Sequence, residues 1–159
     1  MYIMKLEDLK LYQECLNLEA DIWKIVNNWE GFNKDTIGKS FVIAADAISS
    51  NIAGGYGRYN FKDKKHYCYI SRGFLLETKG WVIKSLERGL IEESTNNELI
   101  ENIEKIHRML NAYIRSIGRK KEDSTYSESN HTDDGDDNHG NSYTANADEF
   151  FSEEELSNA

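Results

Sequence analysis

The sequence contains no proline in its 159 residues and only two cysteines, Cys15 and Cys68. Proline breaks helices because it lacks an N–H donor and clashes with the preceding turn, so its absence favours long, uninterrupted helices. Two cysteines cannot form the disulfide framework of a small secreted domain. Both lie within helical apolar patterns, which predicts buried free thiols in a reducing compartment.

Long apolar runs are also missing. No stretch approaches the roughly 18 apolar residues that a membrane-spanning helix needs. Residues 1–10 carry acidic side chains and lack an apolar segment followed by a small-residue cleavage site, so we do not expect a signal peptide. The sequence therefore predicts a cytoplasmic protein with no membrane partner.

Basic residues are absent from the C-terminal part of the chain. All 19 Lys and Arg lie in residues 1–121 beside 16 Asp and Glu, which gives this part a net charge of +3. Residues 122–159 contain 12 Asp and Glu and no Lys or Arg, a net charge of −12, and hardly any aliphatic residues. Such a composition cannot bury enough apolar surface to fold. We predict one folded domain at 1–121 and a disordered acidic tail at 122–159.

Within residues 1–121, four segments repeat apolar residues at alternating intervals of three and four, the spacing of helices that bury one face. The first and fourth segments carry Leu11, Cys15, Leu18, Ile22, Ile25 and Trp29, and Leu99, Ile103, Ile106, Leu110, Tyr113 and Ile117. The second and third carry Ile37, Phe41, Ala44, Ile48 and Ile52, and a stripe of mostly small residues, Cys68, Ser71, Leu75, Thr78, Val82 and Ser85. Short connections favour antiparallel neighbours, so the predicted fold class is all-α, an antiparallel up-down-up-down four-helix bundle.

Local signals place the helix ends. The glycine-rich run 54–57 is expected to end the second helix. Asn60 is expected to cap the third helix and Gly89 to end it. Thr95 and Glu98 have the spacing of a capping box, which predicts the start of the fourth helix.

The junction between the second and third helices, from Ile48 to Arg58, reads ISSNIAGGYGR. This run resembles the four-helix-bundle proteins encoded in intervening sequences of bacterial 23S rRNA genes, which typically have IPANIAEGYGR there. Gly54 is a departure, because the family has glutamate at that position. The resemblance covers about residues 5–118, and it includes Lys5–Tyr12, Phe74–Thr78 and Met109–Asn111.

The family is related to the accessory variability proteins of diversity-generating retroelements. Those proteins are ring-shaped homopentamers that bind nucleic acid and a reverse transcriptase. The resemblance therefore implies a homo-oligomer, specifically a pentamer, with RNA or DNA and a reverse transcriptase as partners. It implies a role as an accessory to a reverse transcriptase or to an rRNA-linked element.

The densest cluster of cations follows the glycine-rich run and forms the candidate nucleic-acid site. It consists of Arg58, Lys62, Lys64, Lys65 and Arg72, interleaved with Tyr59, Phe61, Tyr67 and Tyr69. Cations attract phosphates, and exposed aromatic side chains stack on bases. The alternative is a solvated helix start whose tyrosines belong to the core.

Three polar residues of the resembling segments, Asn51, Tyr56 and Glu77, form a candidate structural network. Asn51 falls on the core-facing rhythm of its helix, and Glu77 lies among apolar neighbours. A buried carboxylate needs partners, and Asn51, Arg58 or Arg72 is suitable. The network would fix the register of the helices, and a recognition site is the alternative.

Signals for catalysis and for cofactors are missing. The sequence has no G-x-S-x-G, H-E-x-x-H or P-loop pattern, and its glycine-rich run follows a helix rather than the strand of a dinucleotide loop. The tail segment Asp134-x-Asp136-x-Asn138 approaches a calcium loop, but His139 replaces the required glycine and Ala145 replaces the bidentate glutamate. We therefore predict no enzyme, no metal and no cofactor.

The end of the tail leaves a second function open. The segment from Asp148 to Leu156 pairs two phenylalanines with several acids. Such segments can fold on a basic, grooved protein. The alternative to nucleic-acid binding is an interaction module that presents acidic tails to a protein partner.

Overall fold

A computed structural model describes residues 5–118 of the chain. Over this range it contains no strand and four helices of 18 residues or more: α1 (Lys10–Asn27), α2 (Lys39–Tyr56), α3 (Phe61–Glu87) and α4 (Glu93–Ser116). A 3₁₀ turn (Leu6–Asp8) precedes α1, and α2 follows directly on a short turn (Gly31–Asn33) and a π-helical turn (Lys34–Gly38). The predicted all-α class is confirmed. The predicted tail at 122–159 lies outside the described residues, and the boundary at 121 stays a prediction.

The core faces of α1 and α4 follow the predicted stripes closely. These helices bury Leu11, Cys15, Leu18, Ile22 and Val26, and Leu99, Ile103, Ile106, Leu110 and Ile114. Val26 and Ile114 take the places predicted for Ile25 and Tyr113, which are only partly buried against the core. An α-helix has 3.6 residues per turn, so a strict 3.5-residue pattern drifts off the buried face after a few turns.

The small-residue stripe of α3 is buried as predicted, from Cys68 to Ser85. Its hydroxyl groups are satisfied, as buried polar groups require. Thr78 and Ser85 donate to the carbonyl four residues earlier, and Ser71 donates across the interface to the carbonyl of Ile48 in α2 at 2.8 Å. Small side chains thus bring α3 close to its neighbours without leaving orphaned donors.

Each helix packs against the next along the chain, and α1 also packs against α4. Polar contacts also join α4 to both of its neighbours. Lys105 of α4 is 2.8 Å from Glu14 of α1, and Arg72 of α3 donates to Asn111 of α4 at 3.0 Å. The helices therefore surround one core, with α1 and α2 on one side and α3 and α4 on the opposite side.

The second helix ends inside the glycine-rich run, as predicted, but two of the glycines have a further role. The end of α2 falls inside the run, at Tyr56, but Gly54 and Gly55 lie within the helix. A Cβ at Gly55 would be 2.9 Å from the Cβ of Tyr67 and 3.1 Å from the carbonyl oxygen of Lys64. A Cβ at Gly54 would be 3.1 Å from the Tyr67 ring. These glycines let α2 and α3 approach each other, so their role is packing rather than termination.

Both predicted ends of α3 are confirmed. The side chain of Asn60 accepts a hydrogen bond from the backbone N–H of Lys62 at 2.8 Å. At the other end, Gly89 has a φ of +68°, and the N–H of Leu90 donates to the carbonyl of Ser85 at 2.8 Å. This pattern is a Schellman motif, which satisfies the last carbonyls of the helix.

The capping box predicted at Thr95 is wrong. Helix α4 begins at Glu93, with Glu92 in the N-cap position and no side-chain cap. Glu93 lies in the first turn, where the helix dipole favours a negative charge. Thr95 is consequently already inside the helix.

Both cysteines are buried free thiols, as predicted. Burial raises the pKa of Cys15 to about 12 and that of Cys68 to about 11. Within the described range, no helix combines the length and the apolar character needed to cross a membrane.

Candidate nucleic-acid interface

The connection between α2 and α3 presents two large aromatic side chains to solvent. Tyr59 is fully exposed, at 102% of its reference area, and Phe61 is 59% exposed. Most aromatic side chains are largely buried in folded proteins. Two exposed rings at the start of a helix are therefore available for stacking.

Arg58 lies beside these rings and is held in place by α3. Its Nη2 atom donates to the hydroxyl of Tyr67, and its guanidinium carbon is 4.7 Å from the centroid of the Tyr67 ring. A cation over an aromatic face is attracted by the quadrupole of the ring. Tyr67 itself packs on Gly54 and Gly55, so the glycines of α2 indirectly position Arg58.

The three predicted lysines do not share one side of α3. Lys62 and Lys65 are three residues apart and lie on the same side of the helix, whereas Lys64 lies on a different side. Lys62 is exposed, and Lys64 and Lys65 are both half-buried. Within residues 5–118, no ion pair includes Arg58 or any of these lysines. Their positive charge is therefore not neutralised by neighbouring acids of the bundle.

Arg72 lies seven residues beyond Lys65, about 10 Å farther along α3. It is half-buried, contacts Asn111, and lies 5.0 Å from the centroid of the Tyr69 ring. The structure therefore places Arg72 on the side of α3 that packs against α4 rather than at the junction. Its role in nucleic-acid binding stays a prediction.

The predicted polar network does not form around Glu77. This residue is exposed, and its Oε1 atom accepts a hydrogen bond from Trp81 Nε1 at 3.4 Å. Asn51 donates to the carbonyl of Ala47 at 2.7 Å instead of reaching Glu77. The predicted burial of Glu77 is wrong because its neighbour Thr78 takes the core-facing position, and adjacent helical residues point about 100° apart.

Tyr56, the third member of the predicted network, is half-buried at the end of α2. Its hydroxyl contributes to the environment of Tyr113 in α4, whose pKa is raised to about 12 by burial, by Cys68 and by Tyr56. Tyr56 therefore lies near the core and α4, apart from Glu77.

The sequence reasoning missed a carboxylate pair between α1 and α2. The two oxygens of Glu19 accept hydrogen bonds from the backbone N–H of Ser49 at 3.1 Å and from its hydroxyl at 3.0 Å. Burial raises the pKa of Glu19 to about 7, and nearby Asp46 raises it further, while the bonds to Ser49 lower it. The pKa of Asp46 is also raised by burial. Both acids directly follow a core residue, Leu18 or Ala45, but the partner that distinguishes Glu19 belongs to another helix.

In the described part of the chain, no group of three or more His, Cys, Asp and Glu side chains could hold a metal ion. The calcium-like segment of the tail lies outside the described residues. The chemistry available at the α2–α3 junction is therefore that of cations, exposed rings and backbone amides.

Comparisons with known proteins identify the bundle. The family model for the 23S rRNA-intervening sequence protein matches residues 7–112, which include the junction and all of α1 to α3. The chain belongs to this family. Membership among the 23S rRNA-intervening sequence proteins confirms the resemblance carried by the segment from Ile48 to Arg58.

A solved structure gives the same picture of the fold. A protein of unknown function from the S23 ribosomal protein family of Bacteroides thetaiotaomicron is similar with a TM-score of 0.60 and 17% sequence identity. The similarity covers 67% of this chain and 99% of the Bacteroides chain. A search of curated proteins gave no match.

Proposed function

We propose that this protein is a non-enzymatic, homo-oligomeric scaffold that binds nucleic acid through the α2–α3 junction. The scaffold is a pentameric ring of antiparallel up-down-up-down bundles, and it acts in the cytoplasm as an accessory to a reverse transcriptase or to an rRNA-linked element. The packing of each helix on the next, and of α1 on α4, supports this topology. The observation that carries the binding is that unpaired Lys62 and Lys65 lie beside exposed Tyr59 and Phe61.

The junction offers both parts of a site for single-stranded nucleic acid. Lysines attract the phosphate backbone, and exposed rings stack on bases whatever their identity. The net charge of +3 on residues 1–121 is small for a nucleic-acid-binding domain, so one junction would bind weakly. A ring repeats the junction in every subunit, and simultaneous contacts raise the overall affinity.

Family membership supports RNA as the first ligand to test. The family is named for intervening sequences of 23S rRNA. Stacking and phosphate contacts do not themselves distinguish RNA from DNA, because every base has an aromatic face. Both nucleic acids therefore belong in the experiment.

Fluorescence anisotropy with labelled RNA and DNA oligonucleotides tests the proposal. The double variant Lys62→Gln/Lys65→Gln is expected to weaken binding at low salt. For a single strand, it should also reduce the slope of log K against log salt by about 1.4, the value for two lost phosphate contacts. The matched control is Lys5→Gln/Lys39→Gln, which removes the same charge from two exposed lysines that belong to no ion pair within residues 5–118. Equal losses in both double variants would show that only net charge matters and would contradict the site.

The exposed rings supply a second arm of the same experiment. Tyr59→Ala is expected to lower single-strand affinity by about 5- to 150-fold, since one stacked base contributes roughly 1–3 kcal/mol. Duplex affinity should change little because paired bases cannot stack on the ring. Phe32→Ala is the control, since Phe32 is 79% exposed in the turn before α2.

The same assay decides between the proposal and its alternative. Absence of binding to either oligonucleotide at about 50 mM salt, where phosphate contacts are strong, would remove nucleic acid as the ligand. The acidic and aromatic segment from Asp148 to Leu156 would then direct attention to a basic protein partner.

A further inference from the structure

A second row of large side chains runs along the outer side of α3, away from the core. This α3 stripe consists of Tyr69, Gly73, Leu76, Gly80 and Ile83, spaced 4, 3, 4 and 3 residues apart like a coiled-coil seam. Its three large side chains are 39–43% exposed, and a Cβ at either glycine would contact nothing within 4 Å. The stripe is about 21 Å long, and its glycines leave room for a closely packed helix.

Cations border the α3 stripe on the side of α4. Arg72 and Lys79 are seven residues apart, which keeps them in one row along the helix. Arg72 contacts Asn111 of α4, and Lys79 is 3.6 Å from Glu104 of α4. The stripe therefore lies on the α3/α4 side of the bundle, and Arg72, which belongs to no ion pair within residues 5–118, supplies positive charge at its edge.

The opposite side of the bundle exposes a shorter row with the same spacing. Leu16, Ala20 and Trp23 lie on α1, and Leu16 and Trp23 are 42% and 58% exposed. Leu16 and Trp23 are one helical turn before and after Glu19, which contacts Ser49 of α2, so the row borders α2. These three residues form the α1/α2 face.

The centre of the α1/α2 face is acidic. Glu19 and Asp46 lie there, and within residues 5–118 neither belongs to an ion pair. The nearby cation Lys24 is already 3.2 Å from Asp21. Burial raises the pKa of both Glu19 and Asp46, so a cation supplied from outside the bundle would stabilise their charged forms.

We propose that the α3 stripe of one copy of this chain docks on the α1/α2 face of a second copy. The two surfaces carry opposite charge, and both alternate large and small residues at the same intervals, so their side chains can interdigitate. The indole of Trp23 is large enough to fill the space above the glycines. This inference rests on the proposed homo-oligomer and assigns the surfaces that build it.

The geometry also determines how copies assemble. Because the two surfaces differ and lie on opposite sides of the bundle, the contact is heterologous, and successive copies form a ring when the rotation closes. Arg72 then lies in the contact between subunits. Lys62, Tyr59 and Phe61 lie beyond the end of the α3 stripe, where they stay available to nucleic acid.

Complementation between two variants tests the assignment. Trp23→Glu places a charge on the α1/α2 face, and Leu76→Glu places one in the α3 stripe. Light scattering coupled to size exclusion is expected to show each variant alone as a monomer. An equimolar mixture should give a species of twice the monomer mass, because each variant retains the surface that the other has lost.

Controls separate this inference from the proposed function. Phe32→Glu changes an exposed ring outside both surfaces and should assemble like the wild type. Ile83→Glu repeats the test of the α3 stripe at a second position, and circular dichroism melts confirm that each variant is folded. If the wild type assembles and either Trp23→Glu or Leu76→Glu still assembles, the assignment of surfaces is wrong. A mixture of the two variants that stays monomeric would also overturn that assignment, and both results would leave the homo-oligomer intact. A monomeric wild type would overturn the homo-oligomer as well.

Discussion

The two carboxylate oxygens of Glu19 accept hydrogen bonds from Ser49, and burial raises the pKa of Glu19 to about 7. The ordinary pKa of a glutamate in an unfolded chain is about 4.3. Between these values the folded state holds a proton that the unfolded state has released. The free energy of unfolding therefore falls as the pH rises from about 4.5 to 7, and the loss is complete above pH 7.

Glu19→Gln keeps an acceptor oxygen and removes the charge. We expect it to raise the melting temperature at pH 8 and to change it little at pH 5. Thermal melts in the Leu76→Glu background measure the effect without a contribution from assembly. A lower melting temperature at pH 8 would contradict the prediction.

Glu14→Gln is the matched control on the same helix, with the opposite sign. Hydrogen bonds to Lys105 and Lys10 lower the pKa of Glu14. Its contribution to stability is therefore present at pH 7 and is lost as the pH falls through the folded-state pKa. Glu14→Gln should lower the melting temperature at neutral pH, and this difference should vanish in acid.

The sequence identified the wrong buried acid for a physical reason. Glu77 has apolar neighbours in the sequence, but in α3 it is exposed, because the next residue, Thr78, faces the core. Glu19 also has apolar neighbours, and there the rotation brings it against Ser49 of α2. Sequence neighbours alone do not separate these cases, because the decisive partner belongs to another helix.

At the scale of the helices, apolar spacing was enough to predict four helices and most of their buried faces. The ends were harder to predict because they depend on packing. Gly54 and Gly55 lie inside α2, where glycine is needed because the Tyr67 side chain and, at Gly55, the Lys64 backbone are too close to leave room for a Cβ atom. No turn or capping motif in the local sequence marks the π-helical turn Lys34–Gly38.

Two glycine substitutions test the packing role of this contact. Gly55→Ala places a methyl group 2.9 Å from the Cβ of Tyr67 and 3.1 Å from a backbone oxygen, so it should destabilise the bundle by about 1–3 kcal/mol. Gly73→Ala meets no atom within 4 Å and should stabilise α3 by about 0.5–1 kcal/mol in the Leu76→Glu background. Urea titrations of both variants measure the difference. A neutral Gly55→Ala would mean that the two helices can separate without cost.

The candidate site was only partly predictable at either scale. The cluster of cations and rings after α2 was visible in the sequence, and the structure leaves Lys62 and Lys65 unpaired. The different direction of Lys64 follows from the helical period. The contact of Arg72 with Asn111 depends on how α4 packs, which the sequence does not specify.

For the whole molecule, the net charge of −9 repels the proposed ligand, nucleic acid, which is itself negatively charged. Removal of residues 122–159 changes the net charge from −9 to +3. The truncated chain should therefore bind labelled RNA and DNA more tightly at low salt, and salt should reduce the gain. A full-length variant with its 12 C-terminal acids replaced by Asn and Gln is the control, because it removes charge and keeps length. A gain from truncation without a gain from neutralisation would exclude an electrostatic cause.

The two buried thiols give the protein an internal reporter of its own opening motions. Cys15 in α1 and Cys68 in α3 are 0% and 1% exposed, and their raised pKa values leave almost no reactive thiolate. A thiol reagent therefore modifies each one only after its helix has moved away from the core. In the single-cysteine variants Cys15→Ala and Cys68→Ala, equal labelling rates would mean that the bundle opens as one cooperative unit. Faster labelling of Cys15 would mean that α1 separates first, and slowing of both rates by RNA would connect these motions to ligand binding.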